Sequence, residues 1–343
     1  MIETLVTGAS GFVGPYLIAA LRARGYGVRV LALPTEDTTP LEQAHVSVYR
    51  GDVCQPETLV EAMRGVDAVY HLAAIHGLWR AKEDYYSVNV VGTENVCKAA
   101  LAANVRRLIH VSSWAVYGMA LGQPAREDFP LRPIPDPYAL TKAEADKLVQ
   151  RYIVRERLPA VIVRPGTMFG PGDQVNFGRM ADRLRAGRAV IIGSGRNALP
   201  FVYVSDVVDG MLLAADKEQA IGGVYNLSTD QPLTQEELWY AIAKEIGANP
   251  PRLHVPYHAL HALAFVAERL TSDRPKRQPL ITRLGVKLFG SDNRHSIDKA
   301  RRELGYIPRV GLREGVRLAA SWYLQHQTPP STDAPKQPNR QGR

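Results

Sequence analysis

The most constraining feature stands at the start of the chain. Thr7-Gly8-Ala9-Ser10-Gly11-Phe12-Val13-Gly14 follows an apolar run, Thr4–Thr7, and opens an amphipathic stretch, Phe12–Arg24. Glycines at a strand-to-helix junction have separate duties: a tight turn, close approach of the backbone to a pyrophosphate, and close packing of the helix on the sheet. The phosphates would rest on the first amides of that helix, where the macrodipole is positive. The glycines lie three apart, which departs from G-x-G-x-x-G. A simple glycine-rich turn is the competing reading, and the strand before it and the helix after it decide for a dinucleotide loop.

The rest of the chain repeats that rhythm. Val28–Leu33, Val46–Tyr49, Ala68–Leu72, Leu108–Ser112 and Ala160–Val163 are nearly continuous in apolar residues, as strands buried on both faces are. Helical patterns at Glu57–Arg64, Val88–Ala103 and Pro137–Arg155 alternate with them. This predicts an α/β fold of Rossmann type, a doubly wound parallel sheet. After about Arg164 the rhythm changes. Gly166, Gly170, Pro171 and Gly172 crowd one loop, and helices at Phe177–Ala186, Ser205–Ala215 and Thr234–Ile246 follow with short strands between them. We expect a dinucleotide-binding domain over 1–165, with later segments returning to it. A smaller interleaved substrate-binding region would cover 166–326. The polar, proline-rich 327–343 reads as a disordered tail.

Composition removes other classes. With 45% hydrophobic and 22% charged residues over 343 positions, the chain is neither disordered nor fibrous. Two cysteines, Cys54 and Cys97, make no disulfide framework, and no Cys/His spacing suits a metal. That usage, with no leader-like N-terminus, predicts a cytoplasmic protein. No run of ~18 or more apolar residues predicts a membrane span. The net charge of +8 is scattered and comes with no nucleic-acid-binding motif. The expected partner is a small-molecule substrate.

Asp136-Pro137-Tyr138-Ala139-Leu140-Thr141-Lys142 carries the chemistry. Asp136 suits an N-cap and Pro137 a first helical residue. Tyr138 and Lys142 are then four apart on one helical face. A phenol titrates near ~10, too high for a base at neutral pH. A neighbouring ammonium and an oxidised nicotinamide both favour phenolate, so Tyr138 could exchange a proton with an alcohol or ketone. Without a second element, such a pair is an ordinary solvated face. Ile109-His110-Val111-Ser112-Ser113 supplies that element, because its C-terminal end falls in the ligand crevice of an open α/β sheet. One serine hydroxyl would contact the reacting oxygen, and the other would satisfy the strand end.

Cofactor choice is less marked. The second strand ends Ala32-Leu33-Pro34, with Glu36 and Asp37 slightly late for a ribose-binding acid and no arginine for a 2′-phosphate. NAD(P) is expected, with a lean to NAD. Asp52, in Gly51-Asp52-Val53, is either an adenine contact or a turn residue.

Together these pieces resemble the extended short-chain dehydrogenase/reductases, the group of NAD-dependent epimerases/dehydratases and 3β-hydroxysteroid dehydrogenases. The resemblance spans Leu5 to about Tyr323. Beyond the motifs above it rests on His71-Leu72-Ala73-Ala74, Asn89-Val90-Val91-Gly92-Thr93, Ser112 to Gly118, Arg164-Pro165, Phe201 to Val204 and Asp298 to Tyr306. It implies Ser113 as the catalytic hydroxyl, Tyr138 as acid/base, and Lys142 as the residue that binds the nicotinamide ribose and lowers the tyrosine pKa. It implies cofactor contacts at Gly8, Ser10, Gly11, Phe12, Val13, Gly14, Asp52, Val53, Leu72, Ala73, Ala74, Asn89, Tyr138, Lys142 and Pro165. Tyr117 receives a structural place. A homodimer through the Val88–Ala103 and Pro137–Arg155 helices is common in the resembling family.

Two branches compete. Nucleotide-sugar enzymes of this family grip pyrophosphate with an arginine where Leu199 stands, and contact sugar with an asparagine where Thr167 stands. Arg294 favours that branch as a phosphate contact. The apolar segment Val255–Leu270 (Leu260, Leu263, Ala264, Ala267 and Leu270, with Phe265 and Val266 beside them) favours the hydroxysteroid dehydrogenase-like and 3-oxoacid reductase-like branch, as does Pro279-Leu280-Ile281-Thr282. We read that segment as a core helix rather than a lipid contact, with His258 and His261 on its surface. His76, Trp79, Trp114, Met168 and Phe177 are candidate pocket walls, and Arg294 a further substrate contact. The expected activity is reversible alcohol/ketone oxidoreduction on a fairly apolar secondary alcohol or β-keto compound. The alternatives are a nucleotide-sugar epimerase or dehydratase, and a non-catalytic cofactor-binding sensor.

Overall fold

The computed structural model describes residues 2–43, 46–76, 80–271 and 281–326. Trp79, Pro279, Leu280 and the 327–343 segment lie outside the described residues. Eleven strands are present among those described: β1 (Glu3–Thr7), β2 (Gly27–Ala32), β3 (Ser47–Arg50), β4 (Ala68–His71), β5 (Arg107–Val111), β6 (Ala160–Pro165), β7 (Thr167–Phe169), β8 (Ile191–Ile192), β9 (Phe201–Tyr203), β10 (Val224–Leu227) and β11 (His254–Val255).

Seven of them form one sheet in the order β10-β6-β5-β4-β1-β2-β3, every pair parallel. The chain winds outward from β1 through β2 and β3, then returns to β4 and winds the other way. The direction reverses between β1 and β4, and a crevice opens beyond their C-terminal ends. β4, β5 and β6 are buried along their whole length, which accounts for their largely apolar sequence. Apolar clusters cover both faces. One includes Leu17, Ile18 and Leu21 of the Gly14–Ala23 helix, and the other Leu59, Met63, Val96 and Cys97.

A third cluster lies beyond the sheet. It packs Phe169, Phe177, Leu184, Leu199 and Phe201 against Trp239 and Val316. Here β7 pairs with β9, and β8 with β11. The Tyr257–Thr271 helix departs from the expected core helix. Leu260 and Ala264 are buried, but Leu263, Val266 and Leu270 are 54%, 50% and 76% exposed. The buried stripe meets Val286 of one short helix, Arg283–Gly290, and a partner that small covers a single stripe. Among the described residues no helix is long and apolar enough to cross a membrane.

Candidate active site

The glycine loop is fixed by backbone contacts. Gly8 has φ +70°, and a Cβ there would lie 2.7 Å from Ala73 N, so a side chain would separate β1 from the end of β4. A Cβ on Gly14 would collide with the Ala9 carbonyl. Gly11 N donates to Gly8 O at 3.2 Å and Gly14 N to Gly11 O at 3.1 Å, so two turns lead directly into the helix. The helix starts at Gly14 rather than Phe12, with Pro15 in its first turn. Gly8, Ser10, Gly11, Phe12 and Val13 line a cleft of about 1,910 Å³. A Cβ on Gly11 would meet only Gly8 O, at 3.3 Å, so the loop keeps an open backbone face, as a pyrophosphate requires. Tyr16 Oη donates to Pro171 O at 2.7 Å and ties this helix to the Gly170–Asp173 loop.

The other expected cofactor residues divide. Leu72, Ala74 and Pro165 line the cleft, whereas Gly14, Ala73, Asn89, Asp52 and Val53 are not on its wall. Asn89 supports the wall from behind. Its Oδ1 accepts from Ile75 N at 2.8 Å, and its Nδ2 donates to Thr141 Oγ1 at 3.0 Å. Asp52 makes the turn: its Oδ1 accepts from Cys54 N at 2.9 Å. Asn95, which the motifs did not single out, holds Val53 O at 2.9 Å. At the end of β2, Glu36 accepts from Leu33 N at 3.1 Å. Arg50 of β3 donates to Leu33 O and Glu36 O, at 3.3 and 2.7 Å. An arginine therefore does stand at this loop, delivered by the neighbouring strand rather than by the local sequence.

The three proton-transfer candidates meet beyond β5. Asp136 Oδ1 accepts from Ala139 N at 3.1 Å and caps the Pro137–Glu156 helix, as its sequence predicts. Lys142 is 3% exposed, and its Nζ donates to Val111 O, the last carbonyl of β5, at 2.6 Å. Ser113 is two residues further on; its Oγ accepts from Ala115 N at 3.2 Å, and it lines the cleft together with Tyr138 and Lys142. Ser112 takes the structural role, donating to Asp146 Oδ2 at 2.6 Å. Asp146 continues the Tyr138–Lys142 spacing by four residues, the signal that would have found it. It accepts two bonds from Arg164, both 2.9 Å, and Arg164 donates to Tyr117 Oη at 2.8 Å. Tyr117 in turn donates to Asn226 Oδ1 of β10 at 2.7 Å, so it is structural.

Burial sets the protonation. It pulls Lys142 down to about 8, against the attraction of Asp146. It pushes the Tyr138 phenol up, opposed by the nearby Ser113 hydroxyl and reinforced by Asp136 and Tyr85. The expected lowering by Lys142 is not the net outcome in this structure, because desolvation dominates and the ammonium is directed at Val111 O. Burial opposes ionisation of Asp146, yet the bonds and charge of Arg164 hold its carboxyl below the usual range.

Of the expected pocket walls, His76, Trp114 and Met168 line the cleft. The His76 ring meets Tyr138 edge-on, with centroids 5.9 Å apart. Phe177 does not line it; 2% exposed, it packs beside Phe169 in the third cluster. Arg294 is also off the cleft: exposed, with its guanidinium held by Asp292 at 2.9–3.1 Å. A carboxylate two residues away has already claimed it. Leu199 is buried in the third cluster, while Thr167 faces the cleft. His261 and Phe265 line it too, so the Tyr257–Thr271 helix roofs the far end, where a surface histidine was expected. Among the described residues no cluster of His, Cys, Asp or Glu is placed to hold a metal ion.

Fold and site define an enzyme of the extended short-chain dehydrogenase/reductase class. Residues 4–228 match the model of the NAD dependent epimerase/dehydratase family, and the chain belongs to that family. It is 32% identical to the 2-alkyl-3-oxoalkanoate reductase of Stenotrophomonas maltophilia, over 92% of this chain and 98% of that one. It is 31% identical to the decarboxylating sterol-4-alpha-carboxylate 3-dehydrogenase of Mus musculus, over 91% and 88%. Among solved structures, the UDP-glucose 4-epimerase of Thermus thermophilus, in complex with NAD, superposes with a TM-score of 0.75 at 26% identity, over 95% of this chain and all of that one.

Proposed function

We propose that this enzyme interconverts a secondary alcohol and a ketone, with NAD as the redox partner and a fairly apolar 3-oxo or 3-hydroxy compound as substrate. The observation that carries this reading is the meeting of Ser113, Tyr138 and Lys142 beyond β5, beside a cleft walled by Trp114, Met168 and Phe265. The dinucleotide supplies or accepts the hydride when bound, held along Gly8–Val13. Tyr138 gives the proton to the ketone oxygen or takes it from the alcohol. Ser113 hydrogen-bonds that same oxygen and shares its developing charge. Lys142, four residues on from Tyr138 and with its Nζ at Val111 O, would hold the nicotinamide ribose when the dinucleotide is bound. The upward push on the phenol keeps it protonated at neutral pH, which suits it to donate. Glu36 at the end of β2 supports NAD over its 2′-phosphorylated form, although Arg50 stands on the same loop. We extend the reading to a homodimer across the exposed face of Tyr86, Val91 and Leu140, tested by the mass of Leu140→Glu in solution.

The test is an absorbance assay with free NAD(H). Turnover with a 2-alkyl-3-oxoalkanoate or an apolar 3-hydroxy compound is expected. A second reading, a nucleotide-sugar epimerase or dehydratase, draws on the basic lining of the cleft. Tightly co-purifying NAD, no net cofactor turnover, and a melting temperature raised by UDP or dTDP but not by ketones would select it.

A further inference from the structure

His71 opens a motif in which Leu72 and Ala74 line the cleft, yet the histidine itself does not reach the wall. It is the buried last residue of β4, and both of its ring nitrogens are engaged. Nδ1 meets Thr7 Oγ1 at 2.8 Å, and Nε2 meets Thr93 Oγ1 at 3.0 Å.

Counting protons fixes the direction of each bond. A threonine hydroxyl has one proton to give. Thr93 gives its proton to Asn89 O at 2.7 Å, so it accepts from His71 Nε2, which carries the hydrogen of the ring. Nδ1 is then bare and accepts from Thr7 Oγ1, which itself accepts from Ala73 N at 3.3 Å. Burial, and after it the charge of Lys142, pull the imidazole down to about 3, so the ring stays neutral near pH 7. One tautomer therefore satisfies the whole chain of groups. The ring of His110 lies 5.6 Å away with neither nitrogen partnered among the described residues, so this arrangement is particular to His71.

The chain of bonds joins the two halves of the site. At one end, Thr7 precedes Gly8, and Ala73 N is the atom that a Cβ on Gly8 would strike. At the other end, Asn89 lies in a wide turn of π type, Ser87–Val91, with its carbonyl held by Thr93. The Asn89 amide reaches Thr141 Oγ1 at 3.0 Å, and Thr141 donates to Pro137 O at 2.7 Å, in the turn that carries Tyr138. Thr7, His71, Asn89 and Thr93 are at most 1% exposed, so water does not replace a lost partner there.

We infer that His71, as its Nε2–H tautomer, is a positioning residue that fixes the spacing between the glycine loop and the helix presenting Tyr138. It acts through Thr7 on the first and through Thr93 and Asn89 on the second. The kinetic arm of its test rests on the oxidoreductase reading; the spectroscopic and binding arms do not.

The tautomer is read by proton–nitrogen NMR of the cofactor-free enzyme at neutral pH, with His71→Gln assigning the signals. A proton on Nε2 is expected; a proton on Nδ1, or exchange between the two forms, would overturn the inference. Four variants then cut one limb each. His71→Asn keeps an acceptor where Nδ1 stands, and it shares with Thr93→Val the loss of the limb to Asn89. Both should lower kcat about 10- to 100-fold and hold NAD affinity, by fluorescence titration, within about threefold. His71→Gln keeps a donor where Nε2 stands, and it shares with Thr7→Val the loss of the limb to the glycine loop. Both should weaken NAD about tenfold and hold kcat at saturating NAD within about threefold. His71→Asn combined with Thr93→Val should be no slower than the slower single variant, because both cut the same limb. Parallel losses of kcat and NAD affinity in all four variants, additive losses in the double variant, or no loss in any of them would overturn the positioning role and leave the oxidoreductase reading intact. If wild type gives no net turnover with free NAD(H), the oxidoreductase reading falls, and the tautomer and the NAD affinities of the four variants still decide the role of His71.

Discussion

The two ends of the cleft are built differently. At the glycine loop, backbone meets backbone: Gly8 against Ala73 and Gly14 against the Ala9 carbonyl, with no room for a methyl group. At the far end, the Tyr257–Thr271 helix buries Leu260 and Ala264 and leaves Leu263, Val266 and Leu270 exposed. The first end presents main-chain amides in one fixed geometry, which an invariant pyrophosphate can use. The second presents side chains on a lightly anchored helix, where shape and polarity can differ without disturbing the sheet. The contrast teaches that one cleft can combine a backbone-built, rigid end, which the proposed function gives to the cofactor, with a side-chain-built end, which it gives to the substrate.

The largest test falls between the two ends. Tyr138→Phe removes the transferable proton and touches neither, so turnover should drop by about a thousandfold or more. Cofactor affinity, measured by fluorescence titration, should stay within about threefold of wild type; a loss of binding of the same size would tie the phenol to the cofactor end instead. Next is Gly14→Val. Its side chain would strike the Ala9 carbonyl and should cost about 2–4 kcal/mol in denaturant unfolding, together with NAD binding. Near-normal stability would show that the loop yields and would break the contrast.

A pH experiment probes the point where the ends join. Burial lowers Lys142 from 10.5 to about 8, so holding it charged in the fold is unfavourable. The sign follows. Below pH 8 both folded and unfolded chains carry the proton, and the penalty of roughly 3 kcal/mol is fully present. Between pH 8 and 10.5 the unfolded chain binds more protons, so this group's contribution to stability rises with pH and then levels off. Lys142→Met should remove that rise from the pH dependence of unfolding. Reductive kcat/KM should fall above about pH 8 as the ammonium is lost. A flat profile to pH 9 would exclude Lys142 as the controlling group. The smallest effect belongs to the far end: Leu270→Ser should change stability by less than about 0.5 kcal/mol, because the side chain is already in water. A larger loss would mean that this helix is anchored as firmly as the glycine loop.

What the sequence determined by itself was local. Three glycines between a strand and a helix mark a tight loop because the turns through Gly11 and the approach of Gly14 to Ala9 are made among neighbouring residues, whereas the Gly8 clearance against Ala73 comes from the end of β4. Asp136, Pro137, Tyr138 and Lys142 specify a capped helix with two groups on one face, because four residues make one turn. Ser113 was legible for the same reason, at the end of a strand whose apolar run marks it as central. What only the tertiary structure decided was burial and partnership. Phe177 and Arg294 were plausible contacts until Phe169 enclosed one and Asp292 held the other. Arg50 came to the β2 loop from the next strand, and Arg179 and Arg183 came to the cleft from beyond β7. The protonation of Tyr138 likewise went up rather than down. Spacing places a cation on the same face, but desolvation depends on which distant residues close over the ring, and no local pattern encodes that.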